Sequence, residues 1–434
     1  MHIRPAKHLK GSILLPGDKS ISHRAAIIAA MAEGETRIDN FATSVDCAST
    51  LECLGRLGVD VRRSEESSTV WIRGVGKSAF KSPDKPLDCG NSGTTMRLMA
   101  GVLAGQNFES VLTGDDSLRR RPMKRVMEPL SKMGAHFESV DGKAPLTIRG
   151  QNPLKAIEYE LPVASAQIKS CVLLAGLNSD GEAAVVEPVP TRDHTERMLR
   201  WFGVDVRETD SGEGKKISLT GDATLAAEHL FVPSDISSAA FFIVAALCLP
   251  GSTLSMQGVG LNPTRAGLID TLRNFGAGIQ TANERETNYE PVGDLLVAGG
   301  LSPSSAQVLR GASIANLIDE LPIIAILGTQ LEHGLEVRDA AELRVKETDR
   351  ITAVVENLRR MGADVEEFDD GFHVGRSKLK GARVDSFGDH RIAMAFAIAG
   401  LLATEGETEI DGSECAEVSF PAFFETLDDV VVYE

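Results

Sequence analysis

Lys19, Ser20 and Arg24 crowd the segment LPGDKSISHR, directly ahead of an aliphatic run. Gly17 allows a tight turn, and Asp18 or Ser20 can cap a helix start. Such a start offers unpaired N–H groups and about half a positive charge, an arrangement that attracts anions. DCGNSGTTMR brings Gly93 and Arg97 to a second start of this kind. PVASAQIKS brings Ser165, Ala166, Gln167 and Lys169 to a third, and PTRDHTERM adds Arg192, Asp193 and His194. GDDSLRRRPMKR holds Arg119, Arg120, Arg121, Lys124 and Arg125, and an arginine fork can clamp a phosphate or carboxylate through two bonds. Carboxylates enter later. ANLIDELPIIAI carries Asp319 and Glu320, LRVKETDR carries Lys346, Glu347 and Arg350, and SFGDHRIAMA carries Asp389, His390 and Arg391. A carboxylate among cations is a candidate acid or base. Capping alone accounts for any one of these segments; the cations beside them point to a site for a multiply charged anion.

The elements that must position these residues repeat six times. Six small-residue and aliphatic runs begin near Ser22, Thr94, Ala166, Ser237, Glu320 and His390. Each leads to a landmark glycine and a β-type stretch, at Gly34, Gly105, Gly181, Gly251, Gly334 and Gly406. In five units a polar helix ending in glycine follows, at Gly58, Gly134, Gly203, Gly276 and Gly362; the last unit ends too early to have one. Alternating helices and strands predict an α/β or α+β protein. A short strand, SILLP, is expected before the first charged helix start.

At 434 residues two domains are the natural expectation, with three units each. Aromatics make up only 5%, so the core must be aliphatic. No apolar run reaches the roughly 18 residues of a transmembrane helix, and the N-terminus lacks the long apolar region of a signal peptide. The net charge of -17 disfavours nonspecific nucleic-acid binding. Six scattered cysteines, with no CxxC pair, predict neither a metal site nor a disulfide framework and suit a cytoplasmic protein. RGVGKSAF contains Gly-Lys-Ser, but Trp71 stands where a P-loop needs glycine.

LPGDKSISHRA, GNSGTTMR, RRRPM, SAQIKS, TRDHTE, IDELPI, RVKETDR and GDHR follow one another along the chain. In these motifs the sequence resembles the 5-enolpyruvylshikimate-3-phosphate synthase family of enolpyruvyl transferases. The resemblance implies an inside-out α/β barrel in each of two domains, built from six βαβαββ repeats, with the helix starts facing an interdomain cleft. It implies a first domain of residues 18–234 and a second of 1–17 plus 235–434. The implied reaction moves the enolpyruvyl group of phosphoenolpyruvate to the 5-hydroxyl of shikimate 3-phosphate, in a monomer with no cofactor or metal and with neither nucleic acid nor membrane as partner.

By resemblance, Lys19, Ser20, Arg24, Ser165, Ala166, Gln167, Arg192, Asp319 and Lys346 contact shikimate 3-phosphate. Lys19, Gly93, Arg121, Gln167, Arg350 and Arg391 contact phosphoenolpyruvate. Asp319 is implied as the base, Glu347 as the acid near C3, and Lys19 as sharing proton transfer. Gly93 leaves space for phosphoenolpyruvate and for the inhibitor glyphosate. Three positions depart from the pattern of some members: Val418 replaces Lys, Glu342 replaces Asn, and Leu98 replaces Pro. The sister UDP-N-acetylglucosamine enolpyruvyl transferases usually open with Lys-Asn and carry a loop cysteine. Here the first motif is Lys-Ser, and residues 114–125 hold no cysteine.

Overall fold

Five of the six aliphatic runs become helices because a short polar side chain caps each start. Asp18 accepts from the Ile21 N–H at 2.8 Å, Ser92 from Thr95 at 3.1 Å, and Ser165 from Ile168 at 3.4 Å. Asp235 accepts from Ser237 and Asp389 from Arg391, both at 2.8 Å. The helices are Lys19–Met31, Gly93–Ala104, Ala166–Gly176, Ile236–Cys248 and His390–Leu401. The remaining run forms Leu321–Gly328, which has Pro322 in its first turn and no side-chain cap. All six are buried around nearly their whole circumference, as helices apolar on every face must be. This computed structural model describes residues 1–212, 214–301 and 306–433.

The polar helices lie outside. Val45–Arg56, Lys124–Lys132, His194–Trp201, Gly267–Asn274 and Arg350–Arg360 each bury one stripe. All five end alike. Gly58, Gly134, Gly203, Gly276 and Gly362 adopt positive φ. The following N–H then reaches back to the helix, Val59 to Leu54 O and Ala363 to Leu358 O among them. Glycine stands there because a left-handed residue lets the chain reverse and satisfies the last carbonyls.

The chain divides into two compact units. One comprises Gly17–Val232 with Thr287–Glu290 and is called the inserted unit here; the other, with both termini, comprises Met1–Pro16, Pro233–Glu286 and Pro291–Glu434. Among the described residues the inserted unit has three four-stranded sheets of one pattern. In the second, Leu87–Asp88 runs parallel to Glu109–Thr113, which pairs antiparallel with Lys143–Arg149 and through it with His136–Val140. The third repeats this with Glu158–Glu160, Glu182–Glu187, Gly214–Thr220 and Arg207–Ser211. The first takes its parallel strand from the far end of the unit: Leu230–Phe231 pairs with Glu33–Asp39.

Among the described residues the terminal unit has sheets of five, four and three strands. His8–Ile13 lies parallel to Thr253–Gly260, with Ile13 opposite Met256. The N-terminal strand thus lies earlier than the expected SILLP. Leu9 and Ile13 face the core while Leu14 is 83% exposed. His2–Ile3 pairs with Thr408–Asp411 in the shortened last repeat. Both cores are mainly aliphatic; Phe241, Phe242, Phe420, Phe423 and Phe424 form an aromatic cluster in the terminal unit. No described helix is long and apolar enough to cross a membrane. Lys77, of the Gly-Lys-Ser segment, donates to the carbonyls of Gly221 and Ala223, a structural tie.

Candidate active site

In the inserted unit side chains cross-link the starts of the helices Gly93–Ala104 and Ala166–Gly176. Arg97 Nη1 donates to Gln167 Oε1 at 2.7 Å, and Gln167 Nε2 donates to Thr94 Oγ1 at 2.9 Å. Gly93 opens its helix between two guanidinium groups. A Cβ built there would lie 2.8 Å from Arg97 Nη1 and 3.3 Å from Arg121 Nη1. Arg121 donates through Nη2 to Asn91 Oδ1 at 2.7 Å and Ser117 Oγ at 3.2 Å. It is buried, whereas Arg119 and Arg120 of the same run are exposed. The short helix Asp116–Arg120 ends at Arg121, which turns to extended backbone before Pro122. Of the three consecutive arginines, Arg121 therefore belongs to this cluster.

Lys19 pairs with Asp46 at 2.9 Å. Arg24 is buried and spends all three nitrogens on neutral acceptors: Nε on Thr195 Oγ1 (2.7 Å), Nη1 on Ser20 O (2.8 Å) and Nη2 on Ser170 Oγ (2.9 Å). Burial pulls its pKa down to about 10; Glu196 and Asp18 oppose that shift and Arg192 adds to it. Ser20, Ser165, Ala166, Gln167 and Arg192 are all half-buried, open enough to reach a ligand.

The terminal unit gathers the carboxylates. Asp319 Oδ1 stands 3.3 Å from Lys346 Nζ and 3.5 Å from Arg350 Nη1, and its carbonyl accepts from Arg391 Nη1 at 2.8 Å. It does not cap the helix that follows, so a capping role does not explain it. Arg350 is 1% exposed and also meets Glu347 Oε2 at 2.7 Å and Asp389 Oδ2 at 2.7 Å. Although burial works against its charge, Asp389, Glu347 and Asp319 together raise its pKa. Glu320 lies between Arg265 Nη1 at 3.2 Å and Arg391 Nη1 at 3.6 Å, and Ser237 donates to it.

Asp319, Lys346, Glu347, Arg350 and Arg391 thus form one connected cluster. Glu342 is exposed on the 3-10 turn Ala341–Val345, and Val418 ends the turn Ser413–Val418 half-buried. Asp46 and Arg265 have no place in the motifs above, and Thr195 lies within TRDHTE without being singled out there. Asp46 reads as an ordinary first-turn charge after the Ser44 cap, and Arg265 follows the Asn262 turn; neither spacing reveals its partner.

A family model described as EPSP synthase (3-phosphoshikimate 1-carboxyvinyltransferase) matches residues 3–427. The chain belongs to the EPSP synthase family. Among its curated EPSP synthase relatives, the 3-phosphoshikimate 1-carboxyvinyltransferase of Solibacter usitatus is 50% identical over 428 residues, covering 98% of each chain. That of Petrotoga mobilis is 48% identical over 435 residues, covering 99% of each. A solved EPSP synthase from Acinetobacter baumannii superposes with a TM-score of 0.86 at 42% identity, covering 100% of this chain and 98% of that one. The enolpyruvyl transferase NikO from Streptomyces tendae shares the fold, with a TM-score of 0.80 at 17% identity, covering 99% of this chain and 96% of that one.

Proposed function

We propose that this enzyme is a 3-phosphoshikimate 1-carboxyvinyltransferase, moving the enolpyruvyl group of phosphoenolpyruvate to the 5-hydroxyl of shikimate 3-phosphate. The observation that carries the reading is the Asp319 carboxylate, held between Lys346 and Arg350 and tied through its carbonyl to Arg391. Phosphoenolpyruvate and shikimate 3-phosphate together bring two phosphates and two carboxylates, and the cations to receive them are the prominent feature of both clusters.

In this reading Asp319 takes the proton of the 5-hydroxyl as its oxygen bonds to C2 of phosphoenolpyruvate. Glu347 delivers a proton to C3, and Lys19 shares the transfer. The tetrahedral ketal loses inorganic phosphate as Glu347 takes a proton back from C3, which restores the double bond. The proton on Asp319 departs with the phosphate. Arg350 meets Glu347 at 2.7 Å in the free protein. An anionic substrate would compete with Glu347 for that guanidinium.

Shikimate 3-phosphate is assigned Lys19, Ser20, Arg24, Ser165, Ala166, Gln167, Arg192, Asp319 and Lys346. Phosphoenolpyruvate is assigned Lys19, Gly93, Arg121, Gln167, Arg350 and Arg391. Fixed cations aimed at developing charge are the largest catalytic contribution expected of such a set. We take the protein to work as a cytoplasmic monomer, a setting that suits its six free thiols; light scattering tests the oligomeric state.

The deciding experiment is phosphate release from phosphoenolpyruvate with and without shikimate 3-phosphate. Release only in its presence is the expected result. Release with UDP-N-acetylglucosamine instead would move the chain to the sister activity, and release with neither would overturn the reading.

A further inference from the structure

Lys169 sits in the SAQIKS segment yet is assigned no substrate. Its side chain is 0% exposed, and its ammonium lies 2.6 Å from Glu196 Oε1 and 3.0 Å from Glu187 Oε2. It also donates to the Thr191 carbonyl at 3.4 Å. Glu187 Oε2 accepts from the Thr191 N–H at 3.1 Å and from its hydroxyl at 2.7 Å. All three polar groups of Thr191 are therefore tied to one buried ion pair, and the next residue is Arg192.

Glu196 works on the other side. It lies in the first turn of His194–Trp201, beside Thr195. The Thr195 hydroxyl accepts from Arg24 Nε at 2.7 Å and pairs with Ser170 Oγ at 2.6 Å. Ser170, one residue after Lys169, accepts from Arg24 Nη2. Glu196 is also the carboxylate that most strongly opposes the effect of burial on Arg24.

Stability alone does not account for three buried charges. Apolar side chains of similar volume commonly hold a fold as well or better than a buried ion cluster. What the cluster does achieve is to fix a loop and a helix turn that carry cations. We infer that Lys169, with Glu187 and Glu196, is a positioning residue for shikimate 3-phosphate, holding Arg192 through Thr191 and Arg24 through Thr195. The inference rests on the function proposed above, which assigns both arginines to that substrate.

The test is steady-state kinetics of Lys169→Met and Thr191→Val with each substrate varied in turn. The Thr191 variant removes one hydroxyl bond and keeps the side-chain volume, so it decides alone if the Lys169 variant is not recovered folded. The expected result is a KM for shikimate 3-phosphate raised about tenfold by Lys169→Met and about threefold by Thr191→Val, with the KM for phosphoenolpyruvate within about twofold of wild type. An unchanged KM for shikimate 3-phosphate, an equal rise for both substrates, or a loss confined to kcat would overturn the inference. The wild type run alongside separates the two failures: without turnover dependent on shikimate 3-phosphate, the proposed function itself falls, and this inference with it.

Discussion

Arg350 and Asp389 meet side by side, Nε to Oδ2 at 2.7 Å and Nη2 to Oδ1 at 3.3 Å, with neither side chain more than 1% exposed. Asp389 also caps His390–Leu401. Asp389→Ala should therefore lose a cap worth about 1 kcal/mol and break a buried pair worth about 3 kcal/mol or more. Asp389→Asn keeps an acceptor for the Arg391 N–H and should cost less. Urea unfolding of the two variants measures the gap; equal losses would show that the cap adds nothing beyond the charge, and a stability of Asp389→Asn equal to wild type would show that the charge does not matter.

Asp319→Asn and Glu347→Gln keep shape while removing a proton acceptor and a proton donor. Each should lower kcat by about 10²–10⁴ with small changes in either KM, the range for one positioned acid or base. Rapid-quench measurement of phosphate release reports this directly, and a variant within a few fold of wild type loses its assigned role.

Gly93→Ala introduces a methyl 2.8 Å from Arg97 Nη1 and 3.3 Å from Arg121 Nη1. Both contacts are ends of flexible side chains, so the fold should survive with its melting temperature little changed. The displaced guanidinium of Arg121 should raise the KM for phosphoenolpyruvate by about tenfold or more. Glyphosate should compete with phosphoenolpyruvate in the wild type and inhibit this variant less; parallel inhibition curves check both.

His23 is buried and hydrogen-bonds Thr50 Oγ1 through Nδ1 at 2.7 Å. Burial, reinforced by Lys19 and Arg24, holds its pKa well below the ordinary 6.5. The unfolded chain then binds a proton that the folded protein refuses. Stability should be unaffected by this group above pH 6.5 and should fall as pH drops below it. The slope from one such proton reaches about 1.4 kcal/mol per pH unit. His23→Asn should flatten the unfolding free energy against pH between about 5 and 6.5. An unchanged slope would assign the acid sensitivity to other groups.

Local chemistry in this chain was legible at close range. Asp18, Ser92, Ser165, Asp235 and Asp389 cap helices within three residues of themselves, and the five helix-ending glycines need only their own φ. The units, their sequence and their inner helices follow from those signals. Partners distant in sequence do not. Arg24 finds Thr195 171 positions away, Arg265 finds Glu320 55 away, and Lys19 finds Asp46 27 away. Those pairings exist only once sheets and helices have packed. The arginine run shows the same limit at a smaller scale: composition marks five cations, and only the end of a five-residue helix decides that Arg121 turns inward.

The strand His8–Ile13 is made first and used late. Its partner Thr253–Gly260 follows only after the whole of Gly17–Val232. At about 5–20 residues per second, the ribosome leaves that strand without its partner for roughly 12–50 seconds. During this interval the three sheets of the inserted unit, the first of which closes with its own Leu230–Phe231, can already form, and only Thr287–Glu290 remains to be added. Folding order therefore runs from the middle of the gene product outward, and an apolar edge near Leu9, Ile13 and Leu14 is what a chaperone would have to guard meanwhile.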